Sequence, residues 1–107
     1  MSKKRKLIEV EIYLPAYYND GRPILPIHLE RTYDEVVERF KAYSIKEEIQ
    51  GVWIYKGQKY EDINRVLSIV IEDNKENRIW LGEFKERLKD RFEQVDIFIK
   101  VFPVDLI

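Results

Sequence analysis

Cysteine is absent from these 107 residues, which excludes both a disulfide framework and a thiolate metal site. Histidine occurs once, at His28, so a zinc site would have to be built almost wholly from carboxylates, and neither a structural metal nor another cofactor is expected. Glycine is scarce too: the four glycines are isolated, which rules out a glycine-rich phosphate loop. The apolar runs fall far short of the ~20 residues that cross a bilayer, and "MSKKRK" leads into alternating glutamates instead of a signal-peptide core. No membrane association is expected, and the expected location is the cytoplasm. Charge of one sign is lacking as well. Nineteen basic and 20 acidic residues leave a net charge of −1, so the surface exerts no global pull on nucleic acid. Abundant Lys and Glu with no Cys and few Gln fit a thermophile.

What is present is one domain's worth of patterned sequence. Residues 1–6 read as a basic disordered tail and 7–107 as a single α+β domain. In "LIEVEIYL" at 7–14, Ile8, Val10, Ile12 and Leu14 alternate with Glu9, Glu11 and Tyr13, the mark of a strand with one buried face. Thr32 and Glu35 have the spacing of a capping box, and Val36, Val37, Phe40 and Tyr43 follow at helical spacing, predicting a helix over 33–43. "GVWIYKGQKYEDI" predicts a short hairpin in which Gly57 takes a positive φ. "RVLSIVIE" at 65–72 predicts a strand buried on both faces. Asn74 or Asn77 would cap a helix carrying Trp80, Phe84, Leu88 and Phe92 every fourth residue. "VDIFIKVF" closes the chain as a strand with Val95, Ile97, Ile99 and Val101 inward, its regular pairing ended by Pro103.

This order is the βαββαβ pattern of a ferredoxin-like sandwich: a four-stranded antiparallel sheet, open to an extra hairpin strand, with two helices on one face. Right-handed crossovers place the first and third long strands at the centre. The uncovered face would then collect Tyr13, Val66, Val70, Phe98 and Phe102 around Glu9, Glu11 and Lys100. Two outcomes are open for it: cover by the hairpin and the C-terminal "VDLI", or a homodimer interface made by those five residues. Its aromatic residues could stack single-stranded RNA, but the two glutamates would repel phosphates, so no specific nucleic-acid partner is expected.

Between the first strand and the first predicted helix, residues 15–31 form an unusually long irregular segment. "NDG" is turn chemistry and Pro23 and Pro26 stiffen an extended return, so the loop could be packed structure. It also concentrates Tyr18, Asp20, Arg22 and His28, and with Trp53, Tyr60 and Asp62 of the hairpin these are the candidate ligand- or partner-binding residues. A nucleophile–base pair is not visible. The serines lie at positions 2, 44 and 68, none beside His28 in sequence, so no catalytic residue is assigned. Small nucleases of this fold class place an acidic metal ligand at the end of the first strand, where this chain has Leu14 and Pro15.

The combination of "YYNDG" after the first strand, "GVW" at 51–53, "YED" at 60–62 and "LKDRFEQ" at 88–94 before an "IFI" strand resembles a family of small uncharacterised prokaryotic proteins. The resemblance spans most of the chain, implies one domain and carries no activity with it. The chain departs from it in "FKAYSI" at 40–45, where a glycine pair would follow the helix. Two functional readings follow. One is a small cytoplasmic, non-enzymatic homodimeric binding or adaptor module for an unknown protein or small molecule. The alternative is a small enzyme of the dimeric α+β barrel type, with a pocket between sheet and helices near loop 15–31 where His28, Tyr18 or Asp62 handles protons. A lined cavity would favour the enzyme, a filled core the module.

Overall fold

The computed structural model describes residues 5–107, apart from the side chain of Glu47. Its elements run β1 Leu7–Pro15, α1 Pro26–Phe40, β2 Ser44–Tyr55, β3 Gln58–Glu72, α2 Lys75–Arg91 and β4 Ile99–Val104. The strands form one antiparallel sheet in the order β2-β3-β1-β4, the ferredoxin-like arrangement with β1 and β3 central. Alternation in β1 does what its pattern predicts. Ile8, Val10, Ile12 and Leu14 are buried in one core with Leu67, Ile69 and Ile71 of β3, Val36 of α1 and Leu81, Phe84 and Leu88 of α2. Both helices therefore cover the same face, and the space beneath them is filled by Phe84, Phe92, Ile12, Leu14 and Ile97, each almost wholly buried.

α2 starts where its cap residue demands: the Asn74 side chain accepts a hydrogen bond from the backbone N–H of Asn77 at 2.7 Å. α1 does not. It begins at Pro26, well before the predicted start, with Leu25 as an N-cap that offers no side-chain bond. Proline suits the first helical position because it has no N–H to leave unpaired and its φ is already helical, so Pro26 opens the helix instead of stiffening a loop. Thr32 is consequently not a cap. It lies buried inside the helix, where its hydroxyl donates to the His28 carbonyl at 2.7 Å. The helix ends at Phe40, earlier than Tyr43, because Lys41 takes a left-handed φ of 69° in the place usually held by glycine.

The hairpin is also more extensive than its pattern suggested. β2 and β3 are the two long strands themselves, and no extra strand forms among the described residues. Lys56 and Gly57 make the two-residue turn with φ of 49° and 77°, the positive-φ pair that matches strand twist. Because β1 ends where Pro15 meets Asn64, the part of the hairpin beyond that register projects past the sheet as an arm. At the other end of the chain β4 begins only at Ile99, leaving Val95 outside it and exposed. Pro103 sits within β4, opposite Ile8, and is tolerated there because β4 is an edge strand. Residues 1–4 of the expected tail lie outside the described residues, whereas the Lys6 carbonyl accepts a hydrogen bond from Asp73 N–H at 2.8 Å and so belongs to the domain.

Candidate functional site

Loop 16–25 is a built structure. Its ends are joined by Ile24 N–H to Ala16 O at 3.1 Å, its turn by Tyr18 N–H to Arg22 O at 2.8 Å, and its base to β3 by Ala16 N–H to Ile63 O at 2.9 Å. Tyr18 and Ile24 enter the core, so Tyr18 offers little of its ring to a ligand. Arg22 lies over the Tyr18 ring, 4.7 Å from its centroid, and pairs with Asp20. The backbone N–H of Arg22, followed by its guanidinium, holds the Asp20 carboxyl below the usual carboxylate range. Asn19 reaches across to the Glu93 carbonyl at 3.3 Å, fastening the loop to the end of α2. His28 is in the first turn of α1, edge-on to Phe92 at 6.4 Å. None of Tyr18, Asp20, Arg22 and His28 lines the groove that the hairpin residues form.

The hairpin residues do converge, and a β-bulge is the reason. Lys46 pairs with Val66, but the register shifts between Lys46 and Glu48, after which Gly51, Trp53 and Tyr55 stand opposite Asp62, Tyr60 and Gln58. An extra residue in one strand transfers every later side chain to the other face. The bulge therefore brings Trp53 and Tyr55 to the uncovered face, alongside Tyr60 and Asp62. Trp53 stacks on Tyr60 with ring centroids 4.6 Å apart, and its indole N–H donates to the Asp62 carboxylate. Opposite them stands the segment joining α2 to β4. Tyr13 N–H donates to Phe98 O at 3.0 Å and the two rings meet edge to face at 5.3 Å.

Between arm and segment runs an open groove of about 740 Å³. Its aromatic walls are Trp53, Tyr55, Tyr13 and Phe98, and Asp62, Asn64, Gln94 and Asp96 provide its hydrogen-bonding groups. Of the residues the sequence singled out, Trp53 and Asp62 line the groove and Tyr60 stacks on Trp53; Tyr13 and Phe98 were expected only at a dimer face, and Asn64, Gln94 and Asp96 were not expected at a site. No local pattern marks those three, because they are brought in by strand register and a loop path.

Further along the uncovered face the charged residues are internally matched. Lys46 bridges Glu9 and Glu11 at 2.7 Å each, and Ser68 donates to Glu9 at 2.7 Å. The Lys46 ammonium, then the Ser68 hydroxyl, hold the Glu9 carboxyl below its ordinary value, and the two carboxylates raise Lys46. Val66, expected at a self-association surface, is completely buried between its cross-strand neighbours Lys46 and Tyr13 and has no area to offer. Val70 and Phe98 are exposed, and Phe102 is half-buried.

A depressed carboxyl contributes stability that is fully present above its unfolded-state pKa and is lost as pH falls through the folded one. Thermal melts from neutrality down through about pH 5 to 3 should therefore show a loss of stability, shallower in Lys46→Met, which removes the larger cause of the depression and leaves the Ser68 hydroxyl. Parallel curves for the two proteins would refute this assignment.

Among the described residues there is no cluster of three or more acidic or histidine side chains able to hold a metal ion, and no helix is long and apolar enough to cross a membrane. No family model matches the chain, and no curated protein matches it in sequence. Solved structures do resemble it. CutA1 from Oryza sativa is 16% identical, with 97% of this chain and 84% of that one aligned at a TM-score of 0.60. The divalent cation tolerance protein CutA1 from Thermus thermophilus is 16% identical, covering 94% and 85% at 0.60. A phage SAM lyase in complex with S-methyl-5'-thioadenosine is 13% identical, covering 96% and 85% at 0.67. At these identities the likeness concerns the path of the backbone: the chain has the ferredoxin-like α+β fold of these proteins.

Proposed function

We propose that this protein is a small cytoplasmic, non-enzymatic binding module that self-associates as a homodimer and takes a small, flat ligand in the groove between the hairpin arm and the α2–β4 segment. The observation that carries the reading is the groove itself: aromatic walls with amide and carboxylate groups set among them are the usual composition of a ligand site. The filled space between sheet and helices speaks against the enzyme alternative, which needs a pocket there. A protein of the same fold that binds S-methyl-5'-thioadenosine adds support for a planar ligand. The exposed Val70 and Phe98 support self-association through the uncovered face. Membership in the small prokaryotic family with the "YYNDG" loop is part of the same proposal, as is the absence of a specific nucleic-acid partner, for which the net charge of −1 speaks.

Gly51 allows a clean test. It lines the groove, and a Cβ added there would meet nothing within 4 Å, so the strand has room for a side chain to start at this position. Adenosine and S-methyl-5'-thioadenosine should change tryptophan emission saturably in the native protein. In Gly51→Leu the change should vanish while the melting temperature holds, and an oligonucleotide should give no salt-resistant response in either protein. Equal binding by the two proteins would place the ligand elsewhere and overturn the reading.

A further inference from the structure

We propose that the groove selects an organic cation, a ligand carrying an alkylated ammonium head group; this rests on the reading of the groove as a ligand site. Among its described lining residues Lys89 alone is cationic, and that ammonium is held by Glu86 at 3.1 Å. Asp96 on the same lining is paired with Lys85 at 3.1 Å, whereas Asp62, engaged only by the Trp53 indole N–H among the described residues, supplies the groove's negative charge. An anionic ligand would meet the Asp62 carboxylate with no uncommitted cation among those lining residues to offset it.

The aromatic walls refine the choice. A bare ammonium needs hydrogen-bond acceptors for all its N–H groups, whereas an alkylated one has a diffuse, weakly hydrated charge that is stabilised against the faces of Trp and Tyr. Trp53 is prepared for this role, since donating its indole N–H to the Asp62 carboxylate makes the ring more electron-rich and fixes its orientation. Only one carboxylate oxygen is engaged in that bond, which leaves the other without a hydrogen-bond partner among the described residues. The chain's own ammonium groups already lie against two of the walls, Lys100 at 5.7 Å from the Tyr13 centroid and Lys56 at 5.4 Å from that of Tyr55. Those positions mark the rings as attractive to positive charge.

Choline and its neutral isostere 3,3-dimethyl-1-butanol have the same shape and differ in charge, so they isolate the claim. With ¹⁵N-labelled full-length protein, the indole N–H signal of Trp53 should shift saturably with choline while that of Trp80, on the helical layer, stays in place. The isostere should bind about tenfold more weakly, as expected for a partly desolvated cation–π contact. Asp62→Asn retains an acceptor for the indole and should weaken choline by a similar factor; Tyr55→Leu, which removes an aromatic wall, provides a second variant should the first fail to fold. If choline and the isostere bind alike, the charge preference is refuted and the ligand site stands. If neither moves Trp53 but adenosine does, the cation inference again falls alone, whereas silence from all three ligands removes both.

Discussion

Replacing Glu35 by alanine should destabilise the protein by about 3 kcal/mol, well beyond the ~1 kcal/mol typical of a lost helix cap. Arg91 explains the difference. Its side chain is only 7% exposed, and its guanidinium donates to the Thr32 hydroxyl at 2.9 Å and to the Glu35 carboxylate. Removing that carboxylate leaves a buried positive charge with a single neutral acceptor, which is far more costly than losing one hydrogen bond. Arg31 and Arg87 also reach Glu35, at 3.6 and 3.3 Å, but they are exposed and can turn to water. Denaturant unfolding of Glu35→Ala gives the number directly. The double variant Glu35→Ala, Arg91→Met should recover much of the loss, since it removes the stranded charge along with its partner. A cost no greater than that of a cap, with no recovery in the double variant, would show that Arg91 does not depend on Glu35 to balance its charge.

The second large effect concerns assembly. At high micromolar concentration the native protein should sediment at twice 13.0 kDa. Phe98→Glu should then weaken the dimer by roughly 100-fold or more, since burying a carboxylate in an apolar contact costs several kcal/mol. Phe98 is 58% exposed in the single chain although its ring packs on Tyr13, so the substitution removes little from the monomer core. Val70, 45% exposed on the same face, provides further apolar surface to the contact. The opposite face of the arm competes for this role, because Val52 and Ile54 are 60% and 72% exposed there. Ile54→Glu decides between them: if it dissociates the protein while Phe98→Glu does not, the arm and not the open sheet face holds the copies together. A native monomer would remove both surfaces.

Several features of this protein were determined by the sequence alone because their causes are local. Period-two alternation at Ile8, Val10, Ile12 and Leu14 is enough to bury one face of β1, and period-four spacing from Trp80 to Phe92 orients α2. The sequence narrowed the α2 cap to Asn74 or Asn77, of which Asn74 serves through its own side chain, and Gly57 accepts the φ that the hairpin turn requires. From those elements the handedness of crossovers sufficed to place β1 and β3 at the centre of the sheet.

What only the tertiary structure decided depends on partners far apart in the chain. Thr32 and Glu35 have cap spacing, yet Arg91 of α2 engages both from inside the protein, and the helix runs back to Pro26. Val66 has the pattern of a face residue but is enclosed by Lys46 and Tyr13 from the strands on either side. The groove exists because a bulge after Lys46 turns Trp53 toward Asp62, and because the α2–β4 segment passes opposite. Side-chain periodicity specifies which residues share a face within one element. Which face meets which, and where a register slips, is set by hydrogen bonds and packing between elements, and the candidate site is made at those junctions.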